Sequence, residues 1–314
     1  MTASTIMWWL SCSKPIMAVA IAQLWESGEL ELDDAVCRHI SEFRTKGKEA
    51  VTLQQLLTHT VSMNADVPWN LTDWDVIVSR LCESELTAGW VPGRDAGYNV
   101  AGNWYLLGEV VRRLDGRTYD RYAREAIFEP LGMGDSWIGM PTERYYAYGN
   151  RVGLMYDTAD SEPKSDDPQQ RCLTCRPGGS GHGPIRELGR FYEMLLGRGS
   201  LAGVSVISPQ AVETLTSRHR AGMFDRTFQH TMDWGLGFII DSNQYGVDTV
   251  PYGYGRHCSQ KTFGHSGCQS SCAFADPERG LVVAWVSNGT PGEERHGQRQ
   301  RAINTAIYED LSLV

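Results

Sequence analysis

The chain has 314 residues, 41% hydrophobic and 21% charged, with a formal charge of −9 and a pI near 5.4, an ordinary globular mixture long enough for about two domains. The acidic balance excludes nucleic acid and anionic membrane as main partners and says nothing against a small substrate. No apolar run reaches the ~20 residues of a membrane span, and the opening Met1-Thr2-Ala3-Ser4-Thr5-Ile6-Met7 has no basic stretch followed by an apolar one, so no secretory signal is read and a cytoplasmic location is expected.

Helical spacing of Ile16, Val19, Ala20, Gln23 and Leu24 predicts a helix over 12–27, with Pro15 tolerated in its first turn and Gly28 as its stop. Further helices are expected over 52–59, 74–82, 103–114, 119–128, 184–196 and 209–216. The stretch 157–183 is polar and carries Pro163, Pro168, Pro177, Gly178, Gly179, Gly181 and Gly183, which reads as a long loop of the kind that often serves function. After Met232 the pattern turns to strands, over 234–240, 269–275 and 281–286, the last two joined as a hairpin by Asp276-Pro277-Glu278-Arg279-Gly280. A closing helix is expected over 298–311. This is an α+β pattern in two lobes: an antiparallel sheet flanked by helices from 1–50 and 231–314, and a mainly helical lobe from 51–230, with the site in the cleft between them. The eight cysteines, Cys12, Cys37, Cys82, Cys172, Cys175, Cys258, Cys268 and Cys272, read as free thiols in a chain this large. No feature bears on oligomeric state.

Three groups of residues carry chemistry. Ser11-Cys12-Ser13-Lys14 stands where the first helix begins, after the apolar Met7-Trp8-Trp9-Leu10. Residues three apart share a helix face, so Ser11 and Lys14 meet without help from the rest of the fold. A serine hydroxyl needs a base, and burial beside a helix N-terminus lowers a lysine pKa toward that task. The plainer reading is a capping serine and a solvated lysine. Tyr98 follows the Pro92-Gly93 turn and precedes a helix, so its phenol can project into a cleft as base or proton relay, ionising more easily beside a lysine; alone it is one surface tyrosine of 13. Phe263-Gly264-His265-Ser266-Gly267-Cys268 leads into a strand. There Gly267 admits a close substrate, the Cys268 N–H can face an oxyanion, and His265 can bind a carboxylate or carbonyl.

Taken in order, Ser11-x-x-Lys14, Tyr98 and His265-Ser266-Gly267 resemble the three motifs of the serine β-lactamase and penicillin-binding protein superfamily, most closely its class C branch of esterases, transesterases and D-amino-acid peptidases. The likeness runs nearly end to end, through Leu24-Trp25-Glu26-Ser27-Gly28, Leu32-Asp33-Asp34, Leu56-Leu57-Thr58-His59-Thr60, Pro92-Gly93, Leu106-Leu107-Gly108, Pro130-Leu131-Gly132-Met133 and Trp234-Gly235-Leu236-Gly237. The resemblance implies that Ser11 is acylated, that Lys14 and Tyr98 share the proton work, and that the N–H groups of Ser11 and Cys268 form the oxyanion hole. Ser266 and Gly267 would line the substrate site, and His265 would stand where β-lactamases often have lysine. It implies a small ester or amide substrate and no cofactor.

The chain departs from that pattern in three places. Val100 stands where the family often has an asparagine that holds an amide, which favours ester substrates and weak or absent β-lactamase activity; Asn103 is near but not equivalent. Ser62 replaces a glycine. Only ten residues precede Ser11, where the family has a helix and two strands, so the sheet is expected to lack part of one side. Alternatives are a catalytically impaired binding protein and an amidase of D-amino-acid or β-lactam substrates. Gly264-His265-Ser266-Gly267 also hints at an α/β-hydrolase elbow, but Cys268 stands at the motif's fifth place and a hairpin follows. Cys172-Leu173-Thr174-Cys175 with Cys268 and Cys272 offers a zinc set whose pairs are widely separated, and no metal is expected.

Overall fold

The computed structural model describes residues 1–160 and 162–314. The chain opens with β1 (Met7–Leu10), which buries Met7 and Trp9. One 3-10 turn, Ser11–Ser13, leads into α1 (Lys14–Glu26). Residues 16–22 are all apolar and all fully buried. A helix apolar on every side must be wrapped by other elements, and α1 is the central post of the molecule.

The helical part follows. α2 (Leu53–Leu57) is one turn fixed by a capping box, in which Thr52 Oγ1 accepts from the Gln55 N–H and Gln55 Oε1 accepts from the Thr52 N–H. α3 (Trp74–Glu83) starts on the Asp73 carboxylate and ends on buried Lys48, whose Nζ donates to the carbonyls of Leu81, Cys82 and Ser84. α4 (Gly102–Asp115) packs on α1, and α5 (Tyr119–Ala123) widens into a π turn over Arg124–Phe128.

The expected long loop over 157–183 carries a short helix and short strands, residue 161 of it lying outside the described residues. Asp167 caps α6 (Pro168–Leu173), with Pro168 in the first turn where its missing N–H is harmless. β3 (Gly181–Gly183) pairs with both β1 and β2 (Trp137–Ile138) in a small antiparallel sheet. Its two glycines, a loop signal in the sequence, let this strand lie directly against Trp9. α7 (Ile185–Leu196) and α8 (Pro209–Thr216) follow. α7, expected in the helical lobe, packs on the main sheet.

That sheet runs β4 (Asp233–Trp234), β5 (Ile239–Ile240), β6 (Phe263–Gly267), β7 (Ser271–Asp276) and β8 (Leu281–Val286), in this order and antiparallel throughout. The single strand expected over 234–240 is two, because the chain folds back between them: the Gly235 N–H donates to the Phe238 carbonyl and Gly237 has φ +79°, a left-handed value natural only to glycine. The β7–β8 hairpin stands as read, with the Asp276 carboxylate accepting the N–H groups of Glu278 and Arg279. Among the described residues no strand pairs with the outer edge of β8.

Alternation on β7 sends Ala273 and Ala275 into the core shared with α1 and α7, and Cys272 and Phe274 into a second core under α9 (Glu293–Asp310). That helix starts five residues before its expected position. Its buried stripe is His296, Gln300, Asn304 and Tyr308, polar groups satisfied by partners, among them Trp285 Nε1–H to Asn304 Oδ1 at 2.9 Å and the Tyr308 hydroxyl to Asp276 at 2.9 Å. No helix of the described residues is long and apolar enough to cross a membrane.

Candidate active site

The site is built where β1 turns into α1. Leu10, just before Ser11, has φ +52° and ψ −131°, a conformation that L-residues rarely adopt and that persists only under outside constraint. Ser13 supplies part of it: its hydroxyl donates to the Leu10 carbonyl at 2.5 Å and accepts the Gly181 N–H at 2.8 Å. β6 supplies the rest. A Cβ on Gly267 would stand 2.5 Å from the Trp9 carbonyl oxygen and 2.7 Å from Leu10 Cβ, so only glycine lets this strand close over the turn.

Ser11 Oγ has two partners. Lys14 Nζ donates to it at 3.1 Å and the Tyr98 hydroxyl donates to it at 2.8 Å. Lys14 is fully buried, and its Nζ also donates to the Gly178 carbonyl at 2.7 Å. Burial disfavours the ammonium, so the lysine pKa falls well below 10.5. The faces of Tyr98 and Trp104 lie 4.9 and 5.4 Å from Nζ. The sequence motif gave the pair; the Gly178 anchor comes from the stretch that read as a loop.

Tyr98 is held from all sides. His59 Nδ1 accepts the Asn99 N–H at 2.9 Å and the His59 carbonyl accepts the Gly97 N–H at 3.1 Å. The Tyr98 N–H goes to Asp225 Oδ1 at 3.1 Å, and Asp225 is a fully buried partner of Arg220 at 2.8 Å. Trp234 stacks on the ring, 5.7 Å between centroids. Burial pushes the phenol pKa up, against the smaller opposing effect of the Ser11 hydrogen bond. The direction is opposite to the easier ionisation expected for Tyr98 beside a lysine, because burial disfavours the phenolate. His59, Asp225 and Arg220 were given no role on sequence grounds, since only the fold brings them to Tyr98.

β6 forms the opposite wall. His265 is buried, and its pKa is pushed down to about 3 by burial first and by Lys14 second. Its Nδ1 lies 2.8 Å from the Ser266 carbonyl, which only accepts, so Nδ1 carries the proton and Nε2 presents a lone pair without a partner. In this tautomer the neutral ring offers no donor to a carboxylate or a carbonyl. Cys268 follows at the β6–β7 turn; burial and Glu293 raise its thiol to about 11, which leaves it a neutral thiol at neutral pH. Among the described residues neither the Ser11 nor the Cys268 N–H is hydrogen-bonded, as an oxyanion site requires.

Two cavities flank Ser11. One of about 610 Å³ is lined mainly by apolar surface, including Phe228, Ile239 and Tyr252, and holds Tyr98, His265 and Ser266 on its wall. The other, about 460 Å³, opens on the far side between Val67, Trp69, Val100, Tyr105 and Arg176. Val100 borders both. Asn103 is buried with Nδ2 on the Leu56 carbonyl and is not available to a substrate.

Ser266 sits inside antiparallel β6 with its hydroxyl accepting from Gln300 Nε2 at 2.9 Å, so the strand–helix elbow of an α/β-hydrolase is not formed there. The eight cysteines are free thiols, and among the described residues no three His, Cys, Asp or Glu side chains gather as a metal site.

The family model described as Beta-lactamase matches residues 1–307. A solved structure of a penicillin-binding protein homolog from Caulobacter crescentus is similar at 31% identity and a TM-score of 0.78, over 95% of this chain and 83% of that one. Penicillin-binding protein 4 of Amycolatopsis lactamdurans is 27% identical over 291 residues, 89% of this chain and 71% of the relative. Esterase EstB of Burkholderia gladioli is 26% identical, over 95% of this chain and 81% of the relative. Of two further curated relatives the chain spans 65% of the length.

Proposed function

Because this chain belongs to the Beta-lactamase family and is a serine hydrolase, we propose that it cleaves small esters, or transfers their acyl groups, through an acyl-Ser11 intermediate, with weak or absent β-lactam turnover. The observation that carries the proposal is the convergence of Lys14 Nζ and the Tyr98 hydroxyl on one serine oxygen, at 3.1 and 2.8 Å, with Lys14 fully buried and Tyr98 partly so. Val100 in place of an amide-holding side chain supports esters over amides, as does a relative named as an esterase.

In the first step Ser11 Oγ bonds to the ester carbonyl carbon while its proton passes to the neutral Lys14 amine. The carbonyl oxygen, now negative, faces the N–H groups of Ser11 and Cys268. The bond to the alcohol oxygen then breaks; that oxygen takes the Tyr98 proton, and the Lys14 ammonium returns its proton to Tyr98. Water, or a second alcohol, repeats the steps in reverse and releases the acid, or a new ester, from Ser11.

Treatment with a fluorophosphonate, followed by intact mass and peptide mapping, tests this. The expected result is one adduct on Ser11, absent from S11A, together with loss of aryl-ester turnover in S11A. An adduct on Ser266, or undiminished turnover in S11A, overturns the mechanism.

A further inference from the structure

The smaller cavity beside Ser11 contains a cation that the protein does not neutralise. Arg176 is only 4% exposed, yet it lines this cavity. Its guanidinium lies over the Trp69 ring, 4.0 Å from the centroid, and Nη2 donates to the Trp69 carbonyl and, at 3.3 Å, to that of Leu71. Nε has no hydrogen-bond partner. The two other arginines buried to this degree each meet a carboxylate: Arg171 faces Asp166 and Arg220 faces Asp225. No such ion pair forms at Arg176 among the described residues; Asp66, on the rim of the same cavity, is exposed and does not reach it. A guanidinium does not lose its proton, and a buried charge without a counter-ion is among the more costly features a fold can carry. A ligand that supplies the missing anion relieves that cost.

The position of Tyr98 says which part of a substrate would do so. Tyr98 and His265 line the larger cavity. The alcohol oxygen that takes the Tyr98 proton must lie on that side, so the acyl chain runs the other way, toward Val67, Tyr105 and Arg176. We propose that Arg176 is an anion subsite for the acyl group, and that the favoured substrates are esters whose acyl chain ends in a carboxylate, the half-esters of short dicarboxylic acids. The assignment rests on the acyl-serine reading above.

The test compares the 4-nitrophenyl half-ester of glutaric acid with the neutral 4-nitrophenyl pentanoate, read as the ratio of their kcat/KM values within each protein. The wild type is expected to favour the half-ester by about tenfold or more, as charge-assisted hydrogen bonds allow. The ratio should fall toward one in Arg176→Gln and recover in part in Arg176→Lys. Free glutarate should inhibit pentanoate turnover competitively in the wild type, a readout that needs no variant. A wild-type ratio near or below one, no inhibition by glutarate, or a preference that persists in Arg176→Gln overturns the subsite while leaving Ser11 chemistry in place. No Ser11-dependent turnover of either ester overturns the acyl-serine reading, and the subsite with it.

Discussion

His59 grips the chain on both sides of Tyr98, taking the Gly97 N–H on its carbonyl at 3.1 Å and the Asn99 N–H on Nδ1 at 2.9 Å. It lines neither cavity, and its ring lies 4.8 Å from that of Tyr98 between centroids. Its backbone has φ +56°, a conformation that asparagine tolerates well, and an asparagine Oδ1 can take the place of Nδ1. His59→Asn should therefore keep ester turnover within a few-fold. His59→Leu, which offers no acceptor, should lower kcat by roughly 10²-fold, the scale of a misplaced catalytic group, with little change in KM. Equal losses in both variants would mean that His59 only fills space.

On the proposed mechanism Lys14 sets the pH profile. Its amine must be free to take the Ser11 proton, and its pKa lies well below the ordinary 10.5 because of burial. Turnover should rise with pH through this lowered pKa and level off far below pH 10.5. Tyr98, whose pKa is raised, should add no falling limb near its ordinary value of 10. Lys14→Arg should abolish the rise and lower kcat/KM by roughly 10²–10⁴-fold. A profile still climbing at pH 10 would remove Lys14 from the role of base.

Acid should destabilise the fold through its buried histidines. His265 and His182 are held down to about 3 and His296 to about 4, each chiefly by burial, against an ordinary 6.5. Between those limits the unfolded chain binds protons at these rings that the folded chain does not. Stability is therefore full above pH 6.5 and falls as pH drops toward 3–4. At pH 5 each ring costs about 2 kcal/mol on this basis. Urea midpoints measured from pH 7.5 to 4.5 should decrease steadily, and His182→Asn should flatten the slope. A midpoint independent of pH would refute it.

Gly267→Ala should be damaging out of proportion to one methyl group. The added carbon would press on the Trp9 carbonyl, Leu10 Cβ and Ser271 Oγ together, forcing β6 away from the turn that holds Ser11. Stability should drop by about 1–3 kcal/mol, as overpacking does, and fluorophosphonate labelling of Ser11 should slow. Normal labelling at normal stability would show that the strand can shift without cost.

Much of this was legible in the sequence where local rules apply. The apolar run of α1, the start of α8 at Pro209 and the hairpin at Asp276 follow from spacing and from Pro, Asp and Gly punctuation, whereas α6, one short helix inside a stretch rich in Pro and Gly, reads as loop. The start of α9 was hidden because its buried stripe is polar, and β3 because two of its three residues are glycine. In the site, Ser11 and Lys14 share one helical turn and could be paired directly. Tyr98 is 87 positions from Ser11 and joined it only through the family resemblance. Asp225, 127 positions from Tyr98, and Arg176 carry no local signal at all. Their significance is a buried charge and its partner, or the want of one, and that exists only once the chain is folded.

On the proposed acyl-Ser11 route, the two rooms beside that serine bear on what happens after the first alcohol departs. At that moment the acyl group still occupies one room and the other stands open. Its walls of Phe228, Ile239 and Tyr252 hold water poorly and an oily alcohol well. The choice between hydrolysis and transfer then becomes a contest over tenancy, decided by which hydroxyl-bearing guest enters first rather than by any change in the serine, lysine and tyrosine that serve both.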